Sequence, residues 1–250
     1  MEVINLKSIG VIPARIESSR LPRKVLLDIC GKPMIQHVWE KAISSDLDDV
    51  IIASDSQEVI ETAKNFGANV YLTSQDHQSG TSRLVELSEN IKSDLYINIQ
   101  GDEPLISPYI INELIQARKS CDSRKVFTAA NQNCTDEDYL SPYVVKVVTD
   151  NIMDALYFSR APIPYFRNRT GSIRPLKHIG IYGYTYEGLQ CYKSSGPSLL
   201  EEAESLEQLR FLENGEKIRV ILTQYESIGV DTKEDLTRVR QILGSIGGNL

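Results

Sequence analysis

Cysteine is scarce in this 250-residue chain, and its four copies (Cys30, Cys121, Cys134, Cys191) stand far apart with no Cys-x-x-Cys pair. With only three histidines beside them, neither a zinc centre nor a disulfide framework is expected, and the chain suits a reducing cytoplasm. Long apolar runs are missing as well. Near the N-terminus the apolar run Ile9 to Ile12 is cut short by Pro13. Nothing approaches the ~20 residues that cross a bilayer, so neither a signal-peptide core nor a membrane span is expected. There is no surplus of positive charge: 27 Lys and Arg against 34 Asp and Glu leave a net charge of -7. That balance argues against nucleic acid or an anionic membrane as a partner. No Gly-x-x-x-x-Gly-Lys-Ser/Thr or Gly-x-Gly-x-x-Gly occurs, so neither a Walker loop nor a dinucleotide fingerprint applies. Internal repeats and low-complexity linkers are lacking too, which leaves one unit over residues 1–250 as the simplest organisation.

What is present alternates. Ile9 to Ile12 reads as a buried strand, left through Pro13 into a polar loop carrying Arg15, Arg20, Arg23 and Lys24. Pro33 opens a helix whose Ile35, Val38, Trp39 and Ala42 keep the 3.6 spacing. Val50 to Ala53 is the second strand; Asp55 or Ser56 caps the next helix, and Gly67 ends it. Val70 to Leu72 is a strand, and Gly80-Thr81 leads a helix through Leu84, Leu87 and Ile91. This alternation predicts a doubly wound α/β fold with parallel strands. Beyond residue 107 the pattern loosens. A helix to about Ala117 precedes strands at Val126–Ala130, Val144–Val148, Leu156–Arg160 and Ile179–Tyr184. An amphipathic helix Leu199–Leu212, a strand Arg219–Leu222 and a last helix with Thr232 and Asp235 at its start complete a mixed-sheet arrangement.

The stretch Tyr96 to Leu105, Tyr-Ile-Asn-Ile-Gln-Gly-Asp-Glu-Pro-Leu, carries the most chemical information. Its strand must stop at Gly101 to Pro104, since Gly permits a sharp turn and Pro cannot continue a ladder. Asp102 thus stands at the carboxyl end of a strand, where open α/β sheets bind ligands, and could hold Mg²⁺ against a phosphate. Alternatively, Asp102 and Glu103 cap the helix begun by Ser107 and Pro108. Asp231 allows the same two readings, and Arg15 to Lys24 is either a phosphate-wrapping loop or a solvated one. Glu207 and Arg210 either project into a cleft or form an i, i+3 surface pair. His178 and Tyr182, sharing one strand face, either line a sugar pocket or include a structural histidine. From the residues alone the expectation is an α/β protein that binds a phosphate-bearing ligand with Mg²⁺.

Taken together, several segments resemble the 3-deoxy-D-manno-octulosonate (Kdo) cytidylyltransferases. They include Val11-Ile12-Pro13-Ala14-Arg15, Arg20-Leu21-Pro22, Asp76 to Thr81, Asn98 to Pro104, His178 to Tyr184, Leu206 to Arg210 and Gly229-Val230-Asp231-Thr232. The matching runs from about residue 9 to 240 in family order. The resemblance implies a Rossmann-like, GT-A-like nucleotidyltransferase fold with a mixed central sheet and a small inserted sheet region. Residues of about 8–110 would form the nucleotide-binding half and about 111–245 the sugar-binding and dimerisation half. The implied reaction transfers CMP from CTP to the anomeric hydroxyl of Kdo, giving CMP-Kdo and pyrophosphate for lipopolysaccharide or capsule assembly. Asp102 and Asp231 match metal-binding aspartates, with Lys24 beside them in catalysis. Ala14, Arg15, Lys24, Arg83 and Gln100 match the nucleotide side; Arg160, His178, Tyr182, Glu207 and Gln208 match the sugar side. A cytoplasmic homodimer with Mg²⁺ is implied. The alternatives are a cytidylyltransferase for another acidic sugar (8-amino-Kdo or a nonulosonate) and a non-catalytic sugar-nucleotide-binding protein. The sequence departs from the family where Arg23 replaces a glycine, Val25 a proline and Ile16 a tyrosine. A glycine of positive φ would leave Arg23 strained or the loop on another path.

Overall fold

The computed structural model of the protein describes residues 6–18, 21–121, 123–168 and 174–247. In the first half, β1 (Ser8–Ala14) is followed by a short antiparallel pair, β2 (Asp28–Ile29) and β3 (Lys32–Pro33). Then come α1 (Met34–Ile43), β4 (Asp49–Ser54), α2 (Gln57–Asn65), β5 (Asn69–Leu72), α3 (Gly80–Asn90), β6 (Leu95–Asn98) and α4 (Pro108–Ser120). The second half holds β7 (Val126–Asn131), α5 (Asp136–Leu140), β8 (Lys146–Thr149), β9 (Ala155–Ser159) and β10 (Leu176–Tyr184). It ends with α6 (Tyr186–Ser194), α7 (Leu199–Glu204), α8 (Leu209–Glu213), β11 (Ile218–Thr223) and α9 (Lys233–Gly247). Among the described residues no helix is long and apolar enough to cross a membrane.

The main sheet runs β11-β7-β10-β6-β1-β4-β5, with β8 and β9 joined to it through β10. Strands β6, β1, β4 and β5 are parallel neighbours, as the alternation predicts. Strand β10 runs antiparallel to both β6 and β7, which makes the sheet mixed. β1 is apolar from Ile9 onward because helices cover both of its faces. Ile12 packs with Ile35 and Val38 of α1 and Ile110 of α4, whereas Val11 packs with Leu84 and Leu87 of α3. Helix starts follow the hydroxyl residues: Ser56, Ser79, Thr185 and Ser198 each accept a backbone N–H from the first turn. Pro33 sits one residue before α1 and pairs in β3.

One expectation needs correction. Leu199–Leu212 is not one helix: Ser205 takes left-handed backbone angles (φ 51°, ψ 51°) and separates α7 from α8. Leu206 and Leu209 are buried on either side of the turn, so apolar i, i+3 spacing survives the break and periodicity cannot reveal it. Gly101 stands in the expected turn, closed by the Glu103 N–H donating to the Gln100 carbonyl at 3.2 Å, and its φ is not positive. A Cβ there would stand 3.0 Å from the Pro13 carbonyl oxygen, so close approach of the strand-β1 exit is what requires glycine.

Candidate active site

At the carboxyl ends of β1 and β6, the chain leaves the sheet through Pro13–Arg15 and Gln100–Asp102. A cleft of about 300 Å³ opens between them, lined by Arg15, Lys24, Arg83, Gln100, Asp102, Glu207 and Asp231 among others. Lys24 lies at its centre. Its Nζ donates to Asp102 Oδ2 at 2.5 Å and to Asp231 Oδ1 at 3.0 Å, joining positions 207 residues apart in sequence. Burial alone would lower the Lys24 pKa, but the two carboxylates, Asp102 foremost, outweigh it and hold the ammonium above its ordinary value. Neither aspartate serves chiefly as a helix cap. Thr232 and Asp235 exchange the capping hydrogen bonds of α9 at 2.9 and 3.1 Å, and α4 starts at Ser107 without a side-chain cap. Glu103 instead accepts from Ser227 Oγ at 2.7 Å, and burial raises its pKa to about 7.

Asp102 and Asp231 can hold a cation together, because a third position within 3.0 Å of both already holds the Lys24 ammonium. Two hard carboxylate donors with no cluster of three His, Cys, Asp or Glu among the described residues suit Mg²⁺ completed by phosphate oxygens better than zinc. Arg23 adopts φ 58° and ψ 31°, the left-handed conformation that a glycine would take without strain, and its guanidinium pairs with Glu58 of α2. Arg20 of the Arg15 to Lys24 loop lies outside the described residues. Ala14 ends β1 buried, and Arg15 is exposed at the cleft. Arg83 is buried beneath it: its guanidinium donates to Asp55 Oδ2 at 2.8 Å, Thr73 Oγ1 at 2.5 Å and Ser74 O at 3.2 Å.

A second cleft of about 390 Å³ adjoins the first and shares Gly80, Gln100 and Glu207 with it. Arg160, His178, Tyr182, Glu207 and Gln208 all line it, so the five residues assigned to the sugar side converge from β9, β10 and the α7–α8 turn. In β10 the pairing with β7 skips from Ile179 to Tyr182, leaving Gly180 and Ile181 bulged. A two-residue insertion preserves the alternation of faces, so His178, Tyr182 and Tyr184 still stack along one side. His178 Nε2 meets Thr128 Oγ1 at 2.9 Å, and burial lowers the imidazole pKa to about 3. The histidine is therefore both a hydrogen-bonded structural residue and a neutral cleft wall. Arg160 supplies the positive charge, its guanidinium held by the carbonyl oxygens of Glu204 (2.8 Å), Pro142 (3.1 Å) and Ser205 (3.5 Å). Gln208 Nε2 is buried in the cleft wall and has no hydrogen-bond partner among the described residues. Of the two readings of Glu207 and Arg210, the cleft reading holds for Glu207 alone and the ion pair does not form: Arg210 binds Glu201 through Nε and one Nη, each at 2.7 Å, and Glu207 accepts from the Tyr192 hydroxyl at 3.2 Å. Glu207 lies between the left-handed Ser205 and the start of α8 at Leu209. Thr81, Asn98 and Tyr184 also line the second cleft; Tyr184 is signalled by its place on the His178 face, and Thr81 and Asn98 by the family-like segments Asp76 to Thr81 and Asn98 to Pro104.

The cytidylyltransferase family pattern matches residues 9–218. A 3-deoxy-manno-octulosonate cytidylyltransferase of Geobacter metallireducens is 45% identical over 245 residues, covering 94% of this chain and 96% of that protein. One of Actinobacillus pleuropneumoniae serotype 7 is 48% identical over 93% of this chain and 98% of its own length. Among solved structures, CMP:2-keto-3-deoxy-manno-octonic acid synthetase complexed with CTP superposes with a TM-score of 0.92 at 44% identity, over 96% of this chain and 99% of that one. With near-complete coverage in both directions, the two clefts belong to a known framework, and this chain is a member of the 3-deoxy-manno-octulosonate cytidylyltransferase family.

Proposed function

We propose that the protein transfers CMP from CTP to the anomeric hydroxyl of 3-deoxy-D-manno-octulosonate, releasing pyrophosphate. The observation that carries this reading is the pair of adjoining clefts, one built around Lys24 and two carboxylates, the other around Arg160, sharing Gln100 and Glu207. The first cleft takes CTP. Lys24 and Arg15 neutralise the triphosphate, Ala14 and Gln100 bound the nucleoside, and Arg83 braces the floor through Asp55 and Thr73. Asp102 and Asp231 hold Mg²⁺, which when bound neutralises charge on the α-phosphate and helps align the nucleophile. The second cleft takes the sugar. Arg160 presents a permanently charged fork to the sugar carboxylate, while His178 and Tyr182 form an uncharged wall. Glu207 and Gln208 offer an acceptor and a donor to hydroxyls, and a ligand oxygen at Gln208 Nε2 would recover the cost of a buried unpaired amide, about 1–3 kcal/mol.

The sugar oxygen attacks the α-phosphorus, a new P–O bond forms, the bond to the β-phosphate oxygen breaks, and the hydroxyl proton is released. The residues act by positioning and by charge neutralisation, with no covalent enzyme intermediate. Residues of about 8–110 serve the nucleotide and about 111–245 the sugar. We assign a cytoplasmic location and a role in lipopolysaccharide or capsule assembly. A homodimer would form through the exposed apolar residues of segment 140–165. Pyrophosphate release tests the assignment, with CTP and Mg²⁺ against Kdo, 8-amino-Kdo and N-acetylneuraminate, and with ATP, GTP and UTP as controls. Release with CTP and Kdo alone is expected, EDTA should stop it, and Asp102→Asn should lower it by about 10²-fold or more while the protein stays folded. Preference for a different sugar would move the specificity to that substrate, and near-normal Asp102→Asn turnover would remove Asp102 from the metal site.

A further inference from the structure

Tyr192, on α6, touches neither of the ligands assigned above, yet its hydroxyl lies between the two clefts. It stands 3.0 Å from Ser79 Oγ and 3.2 Å from Glu207 Oε2. Ser79 caps α3 by accepting the Ser82 N–H at 3.2 Å, and α3 carries Gly80 and Arg83 into the first cleft. Donor and acceptor arithmetic gives this chain a direction. Glu207 as a carboxylate can only accept, so the single Tyr192 proton goes to it. The tyrosine oxygen then accepts from Ser79, whose own proton is free for it because its oxygen accepts from Ser82.

The ring is fixed as firmly as the hydroxyl. The Arg210 guanidinium lies 4.2 Å over its centroid and is itself clamped by both carboxylate oxygens of Glu201. Phe211 packs on the ring at 5.9 Å between centroids, and the residue is 6% exposed. Neither ring contact depends on the hydroxyl. Glu207 sits in a turn after a left-handed residue, so the α8 helix does not orient its side chain.

The geometry points to Tyr192 as a positioning residue for the sugar side, one that sets the direction of the Glu207 carboxylate and ties it to the cap of α3 in the nucleotide cleft. It rests on the functional reading above, since Glu207 is taken to meet the sugar. Because the tie passes through Ser79 but the nucleotide contacts do not pass through Tyr192, its loss should weaken the sugar and spare CTP.

The test is Tyr192→Phe, which keeps the ring and its contacts and removes the hydroxyl alone. Pyrophosphate release would be followed against Kdo concentration at saturating CTP and Mg²⁺, with CTP affinity measured separately by calorimetry. The KM for the sugar should rise about tenfold, the loss of one hydrogen bond to a charged group. The Kd for CTP should stay within about twofold, and the melting temperature should hold. In the double variant with Glu207→Gln, the second change should add little, because both remove the same contact. A sugar KM unchanged in Tyr192→Phe overturns the inference, as does a parallel loss of sugar and CTP affinity, the mark of a merely structural role. Wild-type protein that turns over no Kdo at all would overturn the functional reading and the inference with it.

Discussion

Arg23 stands where the family resemblance implies a glycine, and opposing energies decide whether the difference matters. A non-glycine residue in the left-handed region costs about 1–2 kcal/mol. Against this, a glycine would lose more backbone freedom on folding, about 0.5–1 kcal/mol, and would forfeit the Glu58 pair, worth about 0–1 kcal/mol with both partners this exposed. The contributions nearly cancel. Arg23→Gly should therefore change stability by no more than about 1 kcal/mol in urea unfolding and leave kcat within about twofold; a large fall in kcat would give Arg23 a direct part in holding the phosphate. His178 shows a different residue-scale lesson. Its pKa of about 3 keeps it neutral across the working range, so a sugar carboxylate must find its positive charge at Arg160.

Among the elements, β9 and β11 are held near the sheet's edge by one carboxylate. Asp154, 1% exposed, accepts from Arg124 at 2.7 to 3.1 Å and from Arg219 Nε at 2.9 Å, while Val220 N–H donates to Met153 O at 2.8 Å. Burial would raise the Asp154 pKa, but the two arginines outweigh it and hold it below the ordinary carboxylate value. Its contribution is thus complete above the unfolded pKa of 3.8 and is lost as pH falls through the lower folded value. Asp154→Ala should cost about 3 kcal/mol at pH 7, the low end for a broken buried pair because both arginines keep some access to water. Urea midpoints of the variant and wild type should converge as pH drops below 3.8; a loss that persists at low pH would point to packing instead.

For the whole molecule, exposed apolar side chains are spread along the chain, but segment 140–165 holds the two most exposed tyrosines. Tyr143 is 89% and Tyr165 86% exposed, with Leu140, Ile152 and Leu156 also open. The Tyr139 hydroxyl donates to the Pro164 carbonyl and Arg160 to that of Pro142, so residues 139–142 and 160–164 lie side by side. Tyr143 and Tyr165 flank these contacts, and the proposed homodimer would bury them. Light scattering should give a dimer for the wild type and a shift to monomer for Tyr143→Asp combined with Tyr165→Asp. A wild-type monomer would discard the homodimer, and an unshifted double variant would move its interface elsewhere.

The sequence by itself determined the parallel β5-β4-β1-β6 half, the helix starts at hydroxyl residues, and the segments that approach the clefts, because periodicity, capping and turn chemistry are local. It also placed His178, Tyr182 and Tyr184 on one face, which a two-residue bulge leaves unchanged. The tertiary structure alone brought Asp102 and Asp231 together on Lys24, across 207 positions in the case of Asp231, and gave the α9 cap to Thr232 and Asp235 instead. It alone showed that Arg210 belongs to Glu201, that Arg83 lies beneath the cleft, and that the stretch through Ser205 breaks. The physical reason is range: a side chain's partner is set by which distant backbone brings it within about 3 Å, and no local pattern encodes that distance.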